Sequence, residues 1–143
     1  MKTDFDERQL QIRGKVFFHG FITTIILLLI NAFLHSSDIV WASGFHQNVI
    51  LMVIITTIVT LEAIIRGVYF GNGKTRWIVL GVFGSLSLLL LILNIQYILR
   101  GTTIIEDAAL TSNGFSLALA VMFTLTTVVG IVVELKEKRR DNG

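Results

Sequence analysis

Four stretches of this chain carry no acidic or basic residue when histidine is counted as neutral: 16–34, 39–61, 77–99 and 108–133. Each is strongly apolar and at least as long as the roughly 18–20 residues a helix needs to cross a hydrocarbon core ~30 Å thick. A segment in lipid must satisfy its own backbone polar groups, which restricts membrane-spanning structures to helices and closed barrels. Apolar runs this long, without alternation at period two, are helical. The expected fold is therefore all-α: an integral membrane four-helix bundle with spans at about 16–34, 45–66, 77–99 and 115–133. In a chain of 143 residues, four spans leave no room for a second domain. The expected organisation is an N-terminal arm over 1–15 and a single transmembrane domain over 16–143 with a short basic tail.

Composition agrees with the runs. Apolar residues make up 53% of the chain and charged residues 15%, with a mean hydropathy of +0.75. A soluble domain carries about a quarter charged residues. The first run follows a polar segment and shows no small-residue cleavage pattern before the next charge, so it is expected to stay in the membrane. There is no cysteine, which excludes disulfides, thiolate metal sites and cysteine nucleophiles. There is no proline either, so proline kinks are not available for gating.

The placement of the basic residues predicts orientation. Lys2, Arg8, Arg13 and Lys15 precede the first span, Arg66, Lys74 and Arg76 join the second to the third, and Lys136, Lys138, Arg139 and Arg140 follow the fourth. Only Arg100 falls on the other side. Lys/Arg bias in short loops sets topology, so both termini are expected in the cytoplasm, with the protein in the plasma membrane. The opposite side carries Asp38, Glu106 and Asp107 against Arg100. The sequence pI near 9.2 then reports attraction to anionic headgroups at the cytoplasmic face, and direct nucleic-acid binding is not expected.

The arm has acids first (Asp4, Asp6, Glu7), bases last, and no helix breaker before Gly14, an order that suits a helix dipole. It is expected to run as a helix into the first span. Gly71-Asn72-Gly73 is a turn signal that predicts spans two and three as antiparallel neighbours. An offset of 70 aligns Gly44-Phe45 with Gly114-Phe115, Met52 with Met122, Thr56-Thr57 with Thr126-Thr127, and Arg66 with Lys136. This points to two helical hairpins repeated in the same orientation, related by an axis along the membrane normal.

Glu62 is the one acid set inside an apolar run. Small four-helix drug/proton exchangers also have a membrane glutamate, but deep in their first helix. Here Arg66 follows one turn later, and the spacing predicts an interfacial ion pair, Glu62–Arg66, that fixes depth and packing. His19, about a turn into the first span, reads as a hydrogen-bonded packing residue. His35, Asp38 and His46 are residue types suited to pH or metal sensing at the outer face, but their spacing is not that of a compact zinc motif. Intramembrane polar residues, among them Thr24, Asn31, Thr56, Asn94, Thr124, Thr126 and Thr127, are expected to hydrogen-bond across helices. No nucleophile–base pair, phosphate loop or carboxylate pair is visible. Neither an enzyme, a cofactor nor a resident metal is expected.

The opening Asp6-Glu7-Arg8-x-x-x-Ile12-x-x-Lys15, leading straight into a span, resembles a group of small prokaryotic membrane proteins of about four helices and unsettled function. Such proteins are often encoded beside a cytoplasmic transcription regulator. The resemblance implies a membrane-held partner for a soluble regulator, with no catalytic residue to carry over. The favoured expectation is a regulatory or sensor subunit that binds a cytoplasmic protein through Phe5, Asp6, Glu7, Arg8, Leu10 and Ile12, or that self-associates. The alternatives are a small transporter or channel subunit, and a membrane immunity or resistance protein.

Overall fold

The computed structural model describes residues 6–69 and 73–141, the side chains of 74–76 and 141 excepted. The element order is α1 (Glu7–Ser36), α2 (Gly44–Ile65), α3 (Gly73–Leu99), β1 (Ile105–Glu106), β2 (Ala109–Leu110) and α4 (Ser112–Asp141). All four helices are long and apolar enough to cross a membrane. The protein is a multi-pass membrane protein built as an all-α four-helix bundle.

Local chemistry sets the helix ends. Asp6 caps α1 through a capping box: its Oδ1 accepts from the Gln9 N–H at 2.7 Å, and Gln9 Oε1 accepts from the Asp6 N–H at 3.2 Å. Nothing after this cap interrupts the i→i−4 ladder, so arm and span form one helix of 30 residues, about 45 Å long at 1.5 Å per residue. At the far end, Asp38 takes φ 57°. The Ile39 N–H bonds back to the Leu34 carbonyl at 3.0 Å, and the Asp38 N–H to the His35 carbonyl at 3.1 Å. This is a Schellman motif with aspartate in the left-handed position, a conformation short polar side chains tolerate. α2 ends the same way on Gly67 (φ 69°), with Val68 bonded back to Ala63 at 2.9 Å. The apolar contact that accompanies such caps is present here as the cluster of Val16, Ala63 and Val68.

The packing order is α1–α2–α4–α3. Gly20 of α1 lies against Val59 of α2, and Gly130 of α4 against Leu80 of α3. A side chain at either glycine would overlap its neighbour, so both hairpins are drawn close by a small residue. Between the hairpins, α2 and α4 run parallel. His46 stacks on Phe115 at 4.6 Å, and Ile50 and Ile54 face Ala118 and Met122. Spans two and three were expected to be packed neighbours. Among the described residues they are not packed neighbours: α4 packs extensively on both, and the Gly71-Asn72 turn itself lies outside those residues. The connection between them limits how far their ends can be apart but cannot make their faces fit, and α4 offers better partners for each.

The bundle buries small polar residues beside apolar ones such as Ile50, Leu51 and Leu80, and shows a strongly apolar exterior. Thr57, Thr60, Ser87, Asn94 and Thr126 are buried, whereas Phe17 (61%), Leu29 (65%) and Phe33 (70%) are exposed. Apolar side chains facing outward meet lipid, and the small polar residues supply the close, hydrogen-bonded interior. Across α3 and α4, Ser87 Oγ and Thr124 Oγ1 are 2.6 Å apart, and Asn94 Nδ2 donates to Ser116 Oγ at 3.0 Å.

Several threonines depart from expectation. Thr24, Thr56, Thr126 and Thr127 each donate to the carbonyl four residues earlier in their own helix. A hydroxyl has a carbonyl acceptor within reach on its own preceding turn and needs no partner helix. Asn31, for its part, accepts from Trp41 Nε1 at 3.0 Å, which ties the first connection to α1.

The end of the bundle away from the termini is more ordered than its sequence suggested. In the connection between the third and fourth expected spans, β1 and β2 form a short antiparallel pair closed by Asp107 (φ 47°) and Ala108 (φ 62°), the geometry of a tight hairpin turn. The Leu110 N–H donates to the Trp41 carbonyl at 2.8 Å, which joins the two connections and leaves Ala42 fully buried.

Candidate functional site

α1 and α2 are antiparallel, so a residue about one turn into the first apolar run and a residue about one turn from the end of α2 face each other at the same depth. His19 on α1 and Glu62 on α2 occupy these positions. His19 Nδ1 lies 2.7 Å from Glu62 Oε1, and Arg66 Nε lies 2.8 Å from the same oxygen. One carboxylate oxygen thus meets a nitrogen from each helix. Arg66 can only donate, so Oε1 accepts from its Nε–H, and the same oxygen is within hydrogen-bond distance of the imidazole Nδ1. The Glu62 side chain is 19% exposed, against 50% for His19 and 42% for Arg66. The acid sits inside and its partners reach outward, as snorkelling side chains do near a membrane boundary.

The i+4 spacing brings Arg66 to Glu62 with no help from the tertiary fold. His19, which the sequence placed as a hydrogen-bonded packing residue, meets Glu62 only through hairpin packing. The readable signal for that contact was equal depth: His19 lies about one turn inside the first apolar run and Glu62 about one turn from the end of the second expected span.

Close by, a cleft of ≈ 230 Å³ opens between α1 and the end of α2, lined by Arg13, Val16, Phe17, Thr60 and Tyr69 among others. A second groove, ≈ 340 Å³, runs along α2 where it parts from α3, walled by Met52, Thr56, Phe83, Phe123 and Thr126. Thr60 lines both. Because the hydroxyls of Thr56 and Thr126 are bonded to their own backbones, the groove presents a mainly apolar wall.

The arm residues divide by environment. Phe5 lies outside the described residues. Asp6 is engaged in the cap, and Ile12 packs against the Val16–Ala63–Val68 cluster. Glu7, Arg8 and Leu10 face outward, with Leu10 45% exposed. At the opposite end, His46 is stacked between Phe115 and the edge of Phe45, Asp38 forms the helix cap, and His35 is in the last turn of α1. Among the described residues, no three His, Asp or Glu side chains gather as a metal site would require.

Compared with protein-family models, with curated proteins and with solved structures, the chain finds no match. The functional reading rests on the chain's own geometry.

Proposed function

We propose that this protein is a membrane-embedded regulatory or sensor subunit, oriented with both termini in the cytoplasm, whose α1 arm docks a soluble protein. The observation that carries the reading is the continuity of α1. One unbroken helix presents Glu7, Arg8 and Leu10 at one end and places His19 against Glu62 about three turns further on. A partner seated on the arm pulls on a rigid rod, and that rod meets a charged group of α2 at His19–Glu62. The exposed Leu10 between charges of both signs supplies the apolar anchor and polar rim that a small docking surface needs.

The test replaces Glu7, Arg8 and Leu10 together with alanine and leaves the Asp6 cap and the Ile12 packing intact. Membrane insertion and thermal stability should stay close to wild type, while a soluble protein that co-purifies from native membranes is released. Retention of that protein by the triple variant, or no soluble partner on wild type, sinks the docking reading.

The groove along α2 favours a second reading, a small transporter that accepts an apolar or amphiphilic solute. That reading calls for solute flux in proteoliposomes that Glu62→Gln abolishes while the fold is retained.

A further inference from the structure

The last turns of α4 extend beyond its apolar stretch and carry a sorted set of charges. Glu134 and Glu137 are half-buried, while Lys136, Lys138, Arg139 and Arg140 are exposed. Glu137 is turned toward the end of α2, where its Oε1 lies 3.9 Å from the position a Cβ would take on Gly67. The acids of this segment therefore face the bundle and the bases face away.

Within the outward set, Val132, Leu135, Lys136 and Arg139 line one shallow cleft of ≈ 210 Å³. Their spacing of three, four and seven residues puts them in a single stripe on the helix. The stripe changes character along its length. Val132 (45% exposed) and Leu135 (51% exposed) belong to the end of the apolar run, and Lys136 and Arg139 continue it toward water over about 10 Å measured from Val132.

We infer that this stripe binds the headgroup of one anionic phospholipid. Lys136 and Arg139 hold the phosphate, and Val132 and Leu135 lie against the first methylenes of the acyl chains. An apolar half and a basic half that meet at a membrane boundary match an amphiphile with a negative head. A free anion would use only the basic half. The site goes beyond the docking reading and is independent of it, because it lies on α4 and not on the arm.

The experiment is native mass spectrometry of the full chain in detergent, titrated with dioleoyl phosphatidylglycerol or with dioleoyl phosphatidylcholine. Wild type should hold one phosphatidylglycerol in preference to phosphatidylcholine. Lys136→Gln with Arg139→Gln should weaken that binding by about tenfold or more, the size expected from removing two basic contacts at a surface. Lys138→Gln with Arg140→Gln removes the same charge from residues outside the cleft and should weaken it much less. Equal losses in the two double variants would mean diffuse attraction and overturn the site. So would equal binding of the two lipids, or displacement of phosphatidylglycerol by millimolar inorganic phosphate. All four side chains are exposed, and matching melting curves verify that each variant is folded.

Discussion

His19 and Glu62, 43 positions apart in sequence, meet with Nδ1 2.7 Å from Oε1, and the contact ties α1 to α2 at the end of the bundle that carries both termini. Arg66 completes it from within α2. Charged hydrogen bonds are worth more than neutral ones, and losing one partner leaves the other poorly solvated in a low-dielectric boundary.

Glu62→Gln should therefore lower stability in mixed micelles by about 1.5–2 kcal/mol, the low end of the range for hydrogen bonds to charged groups because His19 and Arg66 are partly exposed. His19→Ala and Glu62→Gln should not add. A double-mutant cycle should return a coupling of about 0.5–1 kcal/mol. Strict additivity would show that the two residues are only neighbours.

Glycines at the two close helix approaches and a glycine in open space should respond oppositely to an added side chain. Gly20→Leu and Gly130→Leu drive a side chain into Val59 and Leu80 respectively, and each should cost about 1–3 kcal/mol by overpacking. Gly81 has no neighbouring atom within 4 Å of an added Cβ, so Gly81→Ala should be neutral or slightly stabilising. Thermal melts of the three variants give the comparison. A Gly20→Leu variant as stable as wild type would refute the packing of α1 on α2 described above.

The helix caps predict a contrast between Asp38 and an ordinary surface acid. Asp38→Gly keeps the left-handed backbone at no steric cost and should leave stability unchanged or improved. Asp38→Val should cost about 1–2 kcal/mol, because a β-branched residue is strained at positive φ. Gly67→Ala should cost about 1 kcal/mol for the same reason. A loss of stability with Asp38→Gly as large as with Asp38→Val would point to a role for the carboxylate beyond the cap.

The proposed orientation is checked by reporter fusions. Those placed after Arg76 and after Gly143 should read cytoplasm, and those within 36–43 and 102–112 should read outside. The eleven-to-one distribution of Lys and Arg counted from the sequence makes the outcome sharp. A single well-expressed fusion reading the wrong side would remove the basis for a cytoplasmic arm.

Much of this protein was determined by sequence alone, because lipid makes the decisive rules local. Four long uncharged runs without period-two alternation specify four helices, since lipid leaves only helices and closed barrels to satisfy their backbones, and a helix covers most or all of each run, with α1 beginning well before its run and α4 ending well after. The reach of Arg66 to Glu62 needs only the pitch of a helix, and the lack of a breaker near Gly14 already made arm and span continuous. What tertiary structure decided is which helix faces packed. In lipid the apolar faces of the four helices are nearly interchangeable, and hydropathy carries no preference between neighbours. The choice fell to steric fit at Gly20 and Gly130 and to hydrogen bonds such as Ser87–Thr124 and Asn94–Ser116, which set the order α1–α2–α4–α3 against the expectation that consecutive spans two and three would pair. The same fit brought His19 to Glu62. It also placed Ile12 in the packed cluster, while the local chemistry of the capping box engaged Asp6, so Glu7, Arg8 and Leu10 are left as the outward surface of the arm. Shape complementarity between distant segments is a property of two surfaces at once, and a periodicity read along one helix does not contain it.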